Sequence, residues 1–142
     1  MDINNLFGTW GLKRFWFTDE TGVEVDPLGR TPVGNLILGD DTHYAFTMMR
    51  ENRSIYQNGD LLGGTSAEKI EAAEGYISFG GSWSLDNSII SFAVTYSLFP
   101  NWVGEKQQRR VNIDNGVLLL QTLGPILMAG KMHRGAARWS KL

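Results

Sequence analysis

The sequence predicts an all-β protein, and three observations carry that prediction. Glycine is abundant, 17 in 142 residues, and lies between short segments rich in the 5 Trp, 7 Phe and 4 Tyr, the composition of antiparallel strands joined by tight turns. Turn formers recur about every 8–12 residues and mark off nine or ten strand candidates, the pattern of a sandwich or an up-and-down barrel. Only one stretch, 66–74, reads as a helix. A chain of this length makes a single domain, 1–142.

Residues 10–17 (WGLKRFWF) lack a helical period and stop at the turn formers Asp19, Glu20, Thr21 and Gly22, which makes them the first strand. Residues 22–26 can pair back on it, and the prolines at 27 and 32 impose a loop, because neither can donate to a ladder. Segments 35–38 and 43–50 are strands joined across 39–42. A long polar connection follows, then Thr65-Ser66-Ala67-Glu68, whose Thr-x-x-Glu spacing is a capping box opening the helix, with Gly75 as its stop. Connection and helix together, 50–75, are expected to form a lid over one end of the sheet.

Beyond the helix the chain reads as a meander, with strands over 76–85, 88–99, 106–113, 117–122, 126–133 and 136–141. Asn115-Gly116 between two apolar runs is the strongest short-range hairpin signal among them. In 76–85, Ile77, Phe79, Gly81, Trp83 and Leu85 share one side against serines and Gly80, so theirs is the core face. In 106–113, Val111 and Ile113 turn inward and carry Gln107 and Arg109 with them, leaving Gln108 and Arg110 in water.

Composition removes several mechanisms. With 13 Lys+Arg against 15 Asp+Glu there is no basic excess for a phosphate backbone or an anionic bilayer, so neither nucleic acid nor membrane is an expected partner. Without cysteine there is no disulfide, thiolate nucleophile or Cys-ligated metal. The first residues show no basic-then-apolar leader pattern, and the expected location is the cytoplasm. The two histidines, His43 and His133, stand on different strand candidates without metal-ligand spacing; each reads as a surface or rim residue, and no metal is expected.

Two passages are similar to a known family. Gly8-Thr9-Trp10, opening the first strand, resembles the lipocalin signature, and Ser97-Leu98-Phe99-Pro100-Asn101-Trp102-Val103-Gly104 followed by Gln107 and Arg109 resembles the bacterial and fungal lipocalin-like domain family. Asp26-Pro27-Leu28-Gly29, Pro32-Val33-Gly34, Met49-Arg50 and Gly59-Asp60-Leu61-Leu62 add to the likeness, which runs from about Leu6 to Trp139. It implies an antiparallel up-and-down β-barrel of 8–10 strands enclosing an apolar interior that holds one small ligand, with Trp10 closing one end under Arg138 or Trp139. Members often serve secondary-metabolite pathways, some in cyclisation or isomerisation, without a cofactor. Where members commonly carry a histidine before the Ser-Leu-Phe-Pro motif, this chain reads Ser91-Phe92-Ala93-Val94-Thr95-Tyr96, so the resemblance brings no histidine acid or base with it. The chain also departs from secreted lipocalins in having no disulfide.

Within such a barrel, Arg109 and Tyr96 are the candidate catalytic groups, able to polarise a substrate carbonyl. Candidate ligand contacts are Arg14, Trp16, Phe46, Trp83, Phe92, Trp102 and Gln107. Arg14 and Trp16 enter because period two from Trp10 through Leu12 puts them on the same side, although Arg14 on the rim is an equal alternative. Arg109 has its own alternative, a hydrogen bond to loop 100–104 or packing on an indole. The expected function is binding of a small, largely apolar organic molecule, with cofactor-free cyclase or isomerase chemistry in natural-product biosynthesis; the alternative is a non-catalytic carrier, as monomer or homodimer. A third reading, a filled barrel serving as an interaction module, requires that no sizeable cavity exist.

Overall fold

The computed structural model describes residues 1–142. Ten strands form: β1 (Gly8–Asp19), β2 (Glu24–Val25), β3 (Val33–Leu38), β4 (His43–Met49), β5 (Tyr76–Asp86), β6 (Ile89–Ser97), β7 (Lys106–Asp114), β8 (Val117–Thr122), β9 (Ile126–Met128) and β10 (Lys131–Lys141). All neighbours are antiparallel, in the order β2-β1-β3-β4-β5-β6-β7-β8-β10-β9, and β1 also pairs with β10. That last ladder closes eight strands into a barrel, with β2 and β9 as short additions beside it. The single helix α1 (Ser66–Glu74) has the expected bounds, and its capping box is formed by Thr65 and Glu68.

The turns explain the meander. Asn87, Asn115 and Gly116 take left-handed backbone conformations at the β5–β6 and β7–β8 hairpins, which Asn and Gly adopt at little cost. The expected strand 126–133 is two pieces, because Ala129 and Gly130 both have positive φ and turn the chain between β9 and β10. Alanine rarely occupies that conformation, so Gly130 stood as the lone turn signal there.

Two β-bulges reset the alternation. Leu12 pairs with Trp139 and Arg14 with Arg138, which leaves Lys13 as an extra residue in β1. Gly80 pairs with Tyr96 and Gly81 with Val94, leaving Thr95 as an extra residue in β6. An extra residue moves every later side chain to the opposite face. In β1 the inward set therefore runs Trp10, Leu12, Phe15, Phe17, and in β6 it runs Ile90, Phe92, Val94, Ser97.

The short β3–β4, β5–β6 and β7–β8 turns gather at one end of the barrel, where a 3-10 turn at Ile3–Asn5 and the fully buried Leu6 form a plug. The Trp10 indole N–H donates to the Leu6 carbonyl at 2.9 Å. The residue over Trp10 is Lys141, its Nζ 4.6 Å from the ring centre, rather than Arg138 or Trp139: Arg138 faces outward and Trp139 is wholly buried in the core. Trp83 ties down the β3–β4 turn by donating to the Gly39 carbonyl at 3.0 Å and packs edge-on against Phe7. The long connections, including α1, gather at the other end.

Candidate functional site

The long-loop end opens into a cavity of about 510 Å³. Its walls come from the interior faces of the barrel: Phe15 and Phe17 of β1, Phe46 and Met48 of β4, Ile77 and Phe79 of β5, Leu120 of β8 and Ala137 of β10. Phe46 stacks on Phe79 at 4.5 Å, and Trp102 meets Phe79 edge-on at 5.2 Å. Leu98, Phe99, Pro100 and Leu127 border the mouth, together with Ala73 and Glu74 from the end of α1. Of the 26 lining residues 18 are hydrophobic, and the only charged ones are Glu74 and Arg109.

Arg109 is held inside by the alternation that places Val111 in the core, and its backbone is flanked by Ile90 of β6 and Thr122 of β8. The guanidinium donates from Nη1 to the carbonyl of Gln108 at 2.8 Å. That is its only hydrogen bond within the protein, and neither loop 100–104 nor any carboxylate partners it. Burial pushes the Arg109 pKa down to about 10, with a smaller opposing effect from Tyr44. The group stays charged at neutral pH. Tyr44 is pushed up, mainly by its own burial, and its hydroxyl donates to the Ala93 carbonyl at 3.1 Å. It is therefore a neutral phenol.

The other sequence-derived candidates divide. Phe46 and Trp102 line the cavity. Trp83 belongs to the plugged end, Phe92 is buried in the core, and Gln107 shares the inward face of β7 without reaching the cavity wall. Three expectations are corrected by the bulges. Arg14 and Trp16 lie on the outer surface: Arg14 pairs with Asp26 at 3.0 Å and Glu24 at 3.1 Å and stacks over Trp16 at 4.4 Å. Tyr96 is outside as well, 55% exposed, with its ring across Gly80, where a Cβ would stand 2.1 Å from the tyrosine hydroxyl. His133 is another correction: it is a buried residue, edge-on to Phe17 with Nδ1 3.0 Å from the Lys131 carbonyl, while His43 is on the surface beside Asp41.

The expected lid has definite anchors. Arg53 donates to the Ala72 carbonyl near the end of α1 at 3.0 Å and lies over the Tyr76 ring at 5.1 Å. Arg50 reaches the Pro27 carbonyl at 2.7 Å. Between these ties Leu61 and Leu62 are 91% and 81% exposed, apolar side chains with no cover. Phe15, Phe17 and Phe99 are cavity residues that the sequence reading did not single out; for the first two, the hidden bulge at Lys13 was the obstacle.

A barrel closed by β1 and β10, plugged at one end and hollow at the other, is the architecture of a lipocalin-type fold. The lipocalin-like domain model matches residues 7–142, and the chain belongs to that family. It is 30% identical over 103 residues, 67% of this chain and 93% of the relative, to an Aspergillus oryzae protein named 4'-hydroxy-3'-methoxypropiophenone carrier protein. Among solved structures it is similar to a lipocalin-like protein from Bacteroides uniformis, at 15% identity, a TM-score of 0.47 and coverage of 97% of this chain and 99% of that one. No helix is long and apolar enough to cross a membrane.

Proposed function

We propose that the chain is a binding protein that carries one small, largely apolar organic molecule in the barrel cavity, anchored by Arg109. The observation that carries this reading is a hollow of about 510 Å³ with apolar walls and one guanidinium inside, within the range of roughly 300–1,000 Å³ usual for small-molecule sites. A filled barrel would leave no such space. The relative's name supports a carrier role and an aryl ketone as the class of cargo.

Carriage is favoured over cyclase or isomerase chemistry by what faces Arg109. Proton transfer needs a second group within reach of the substrate, and Tyr96, the expected partner, is on the outer surface. Tyr44, the phenol that interacts electrostatically with Arg109, is held neutral and already donates its proton to a backbone carbonyl. Native mass spectrometry of freshly purified protein, followed by incubation with aryl ketones and analysis of what is released, tests the reading. A ligand bound and recovered unchanged is the expected result; conversion to an isomer would replace the carrier reading with the enzymatic one.

A further inference from the structure

Arginines in this protein that are not fully solvated reach a carboxylate or an aromatic ring, with one exception. Arg14 has two carboxylates and an indole, and Arg53 has a carbonyl, a thioether and a tyrosine ring. Arg109, the one inside the barrel, has only the carbonyl of its own neighbour. A guanidinium offers five N–H donors in a planar fork, and most of that fork is unused.

The groups around it do not supply the missing charge. From β4 comes Tyr44, a neutral phenol, and from β5 Tyr76; β6 and β8 present no ionisable side chain to the cavity, and His133 of β10 lies beyond its wall. Glu74, at the end of α1, is exposed at the mouth and makes no ion pair. The apolar cavity therefore encloses one uncompensated positive charge. Desolvating a cation without an anion is costly, and a carboxylate on any neighbouring inward position would have removed that cost. A neutral carbonyl accepts hydrogen bonds but leaves the charge in place, whereas an oxyanion cancels it and fits the fork through two oxygens or one strongly charged one.

We infer that the cavity takes its ligand as an organic oxyanion, a carboxylate, an acidic phenolate or the enolate of a 1,3-dicarbonyl, with Arg109 as the counter-ion. This rests on the cavity being a ligand site. By linkage, a ligand bound preferentially as its anion has a lower pKa in the barrel than in water, and the size of the shift is the ratio of the two forms' affinities.

The test uses 4-nitrophenol, whose yellow phenolate reports its own ionisation, and 4-nitroanisole as the neutral analogue of similar size. In the wild-type protein the bound phenol should titrate about one unit or more below the free probe, a phenolate preference of at least about tenfold. Arg109→Gln should abolish most of that shift, and Arg110→Gln, which faces water on the same strand, should leave it intact. The wild-type measurement needs no variant, so a folding defect in Arg109→Gln does not remove the test. If neither probe binds, the cavity reading itself fails and the inference falls with it. If 4-nitroanisole binds as tightly as the phenolate, the cavity reading stands and the oxyanion inference is overturned. A shift that persists in folded Arg109→Gln overturns Arg109 as the counter-ion.

Discussion

The two ends of this barrel use similar residues for different ends. At the plugged end, Trp10, Trp83 and Trp139 are buried with Leu6, Leu36, Leu38 and Leu118, two of the three indoles donate to backbone carbonyls, and the connections are tight turns. At the open end, Phe15, Phe17, Phe46, Phe79 and Trp102 are just as aromatic, but they surround a hollow instead of filling it. The long connections are there, beside the tight β1–β2 and β9–β10 turns, and Leu61, Leu62, Phe99 and Leu127 stay exposed. Aromatic content alone therefore says nothing about role. The rings of the plugged end fill space, whereas those of the open end pack on one another on one side and border a hollow on the other.

The largest effect should come from breaking the plugged end. Trp139 is fully buried and packs edge-on against Phe46 at 5.2 Å, so Trp139→Ala should cost about 3–5 kcal/mol in denaturant unfolding. Phe99→Ala at the mouth, where the ring is 49% exposed, should cost less than about 1 kcal/mol while weakening ligand binding. Similar stability losses at the two positions would erase the distinction between the ends.

Arg109→Met comes next and should reverse the pattern. It keeps the apolar stem but loses a charge-assisted bond to the ligand, about 1.5–3 kcal/mol, or roughly tenfold to more than a hundredfold in affinity. Because it also removes a charge inside the barrel that has no charged protein partner, the melting temperature should hold or rise. Arg110→Met should do little to either quantity. If Arg109→Met lowers the melting temperature and leaves affinity intact, Arg109 is part of the scaffold and the carrier reading loses its anchor.

These cases also define what the sequence makes legible. Period-two alternation put Arg109 inside through Val111 and Ile113, correctly, because β7 carries no irregularity. The same rule failed for Arg14, Trp16 and Tyr96, since each lies just beyond a bulged residue, Lys13 or Thr95, that nothing in the residue type announces. The helix was readable to the residue because its capping box and terminal glycine are local chemistry. The β9–β10 turn was not, because it uses an alanine in a left-handed conformation. The cavity depends on how far opposing side chains reach across a closed barrel, and a linear pattern does not encode that distance.

A smaller effect should distinguish the mouth from the barrel in motion. The segment from residue 50 to 75 has few buried side chains, and α1 buries none. Its amides should exchange quickly in the free protein, apart from those of Gln57 and Thr65 held by Glu68, and slow when ligand closes the mouth against Ala73 and Glu74, while β4–β8 amides change little. Equal exchange in the two states would reduce the segment to a surface loop.

The smallest effect is a pH dependence confined to the same segment. The Glu68 carboxylate accepts from the backbone N–H of Thr65 at 2.8 Å and of Gln57 at 3.0 Å, so it both completes the helix cap and pins the preceding loop to the helix. These two bonds hold its pKa below the ordinary glutamate range, the Thr65 bond contributing most. A carboxylate with a depressed folded-state pKa contributes order that is fully present above its unfolded pKa and is lost as pH falls through the lower, folded value. On acidification, protection of α1 and of the Gln57 amide should therefore fall together, at a pH below that at which an unperturbed glutamate protonates. Trp10, Trp83 and Trp139 are buried in the apolar core, away from this carboxylate, and their fluorescence should remain native-like over that step. Glu68→Gln should leave the helix less protected at neutral pH and remove the step. A step that survives in Glu68→Gln would assign the acid sensitivity of the mouth to another carboxylate.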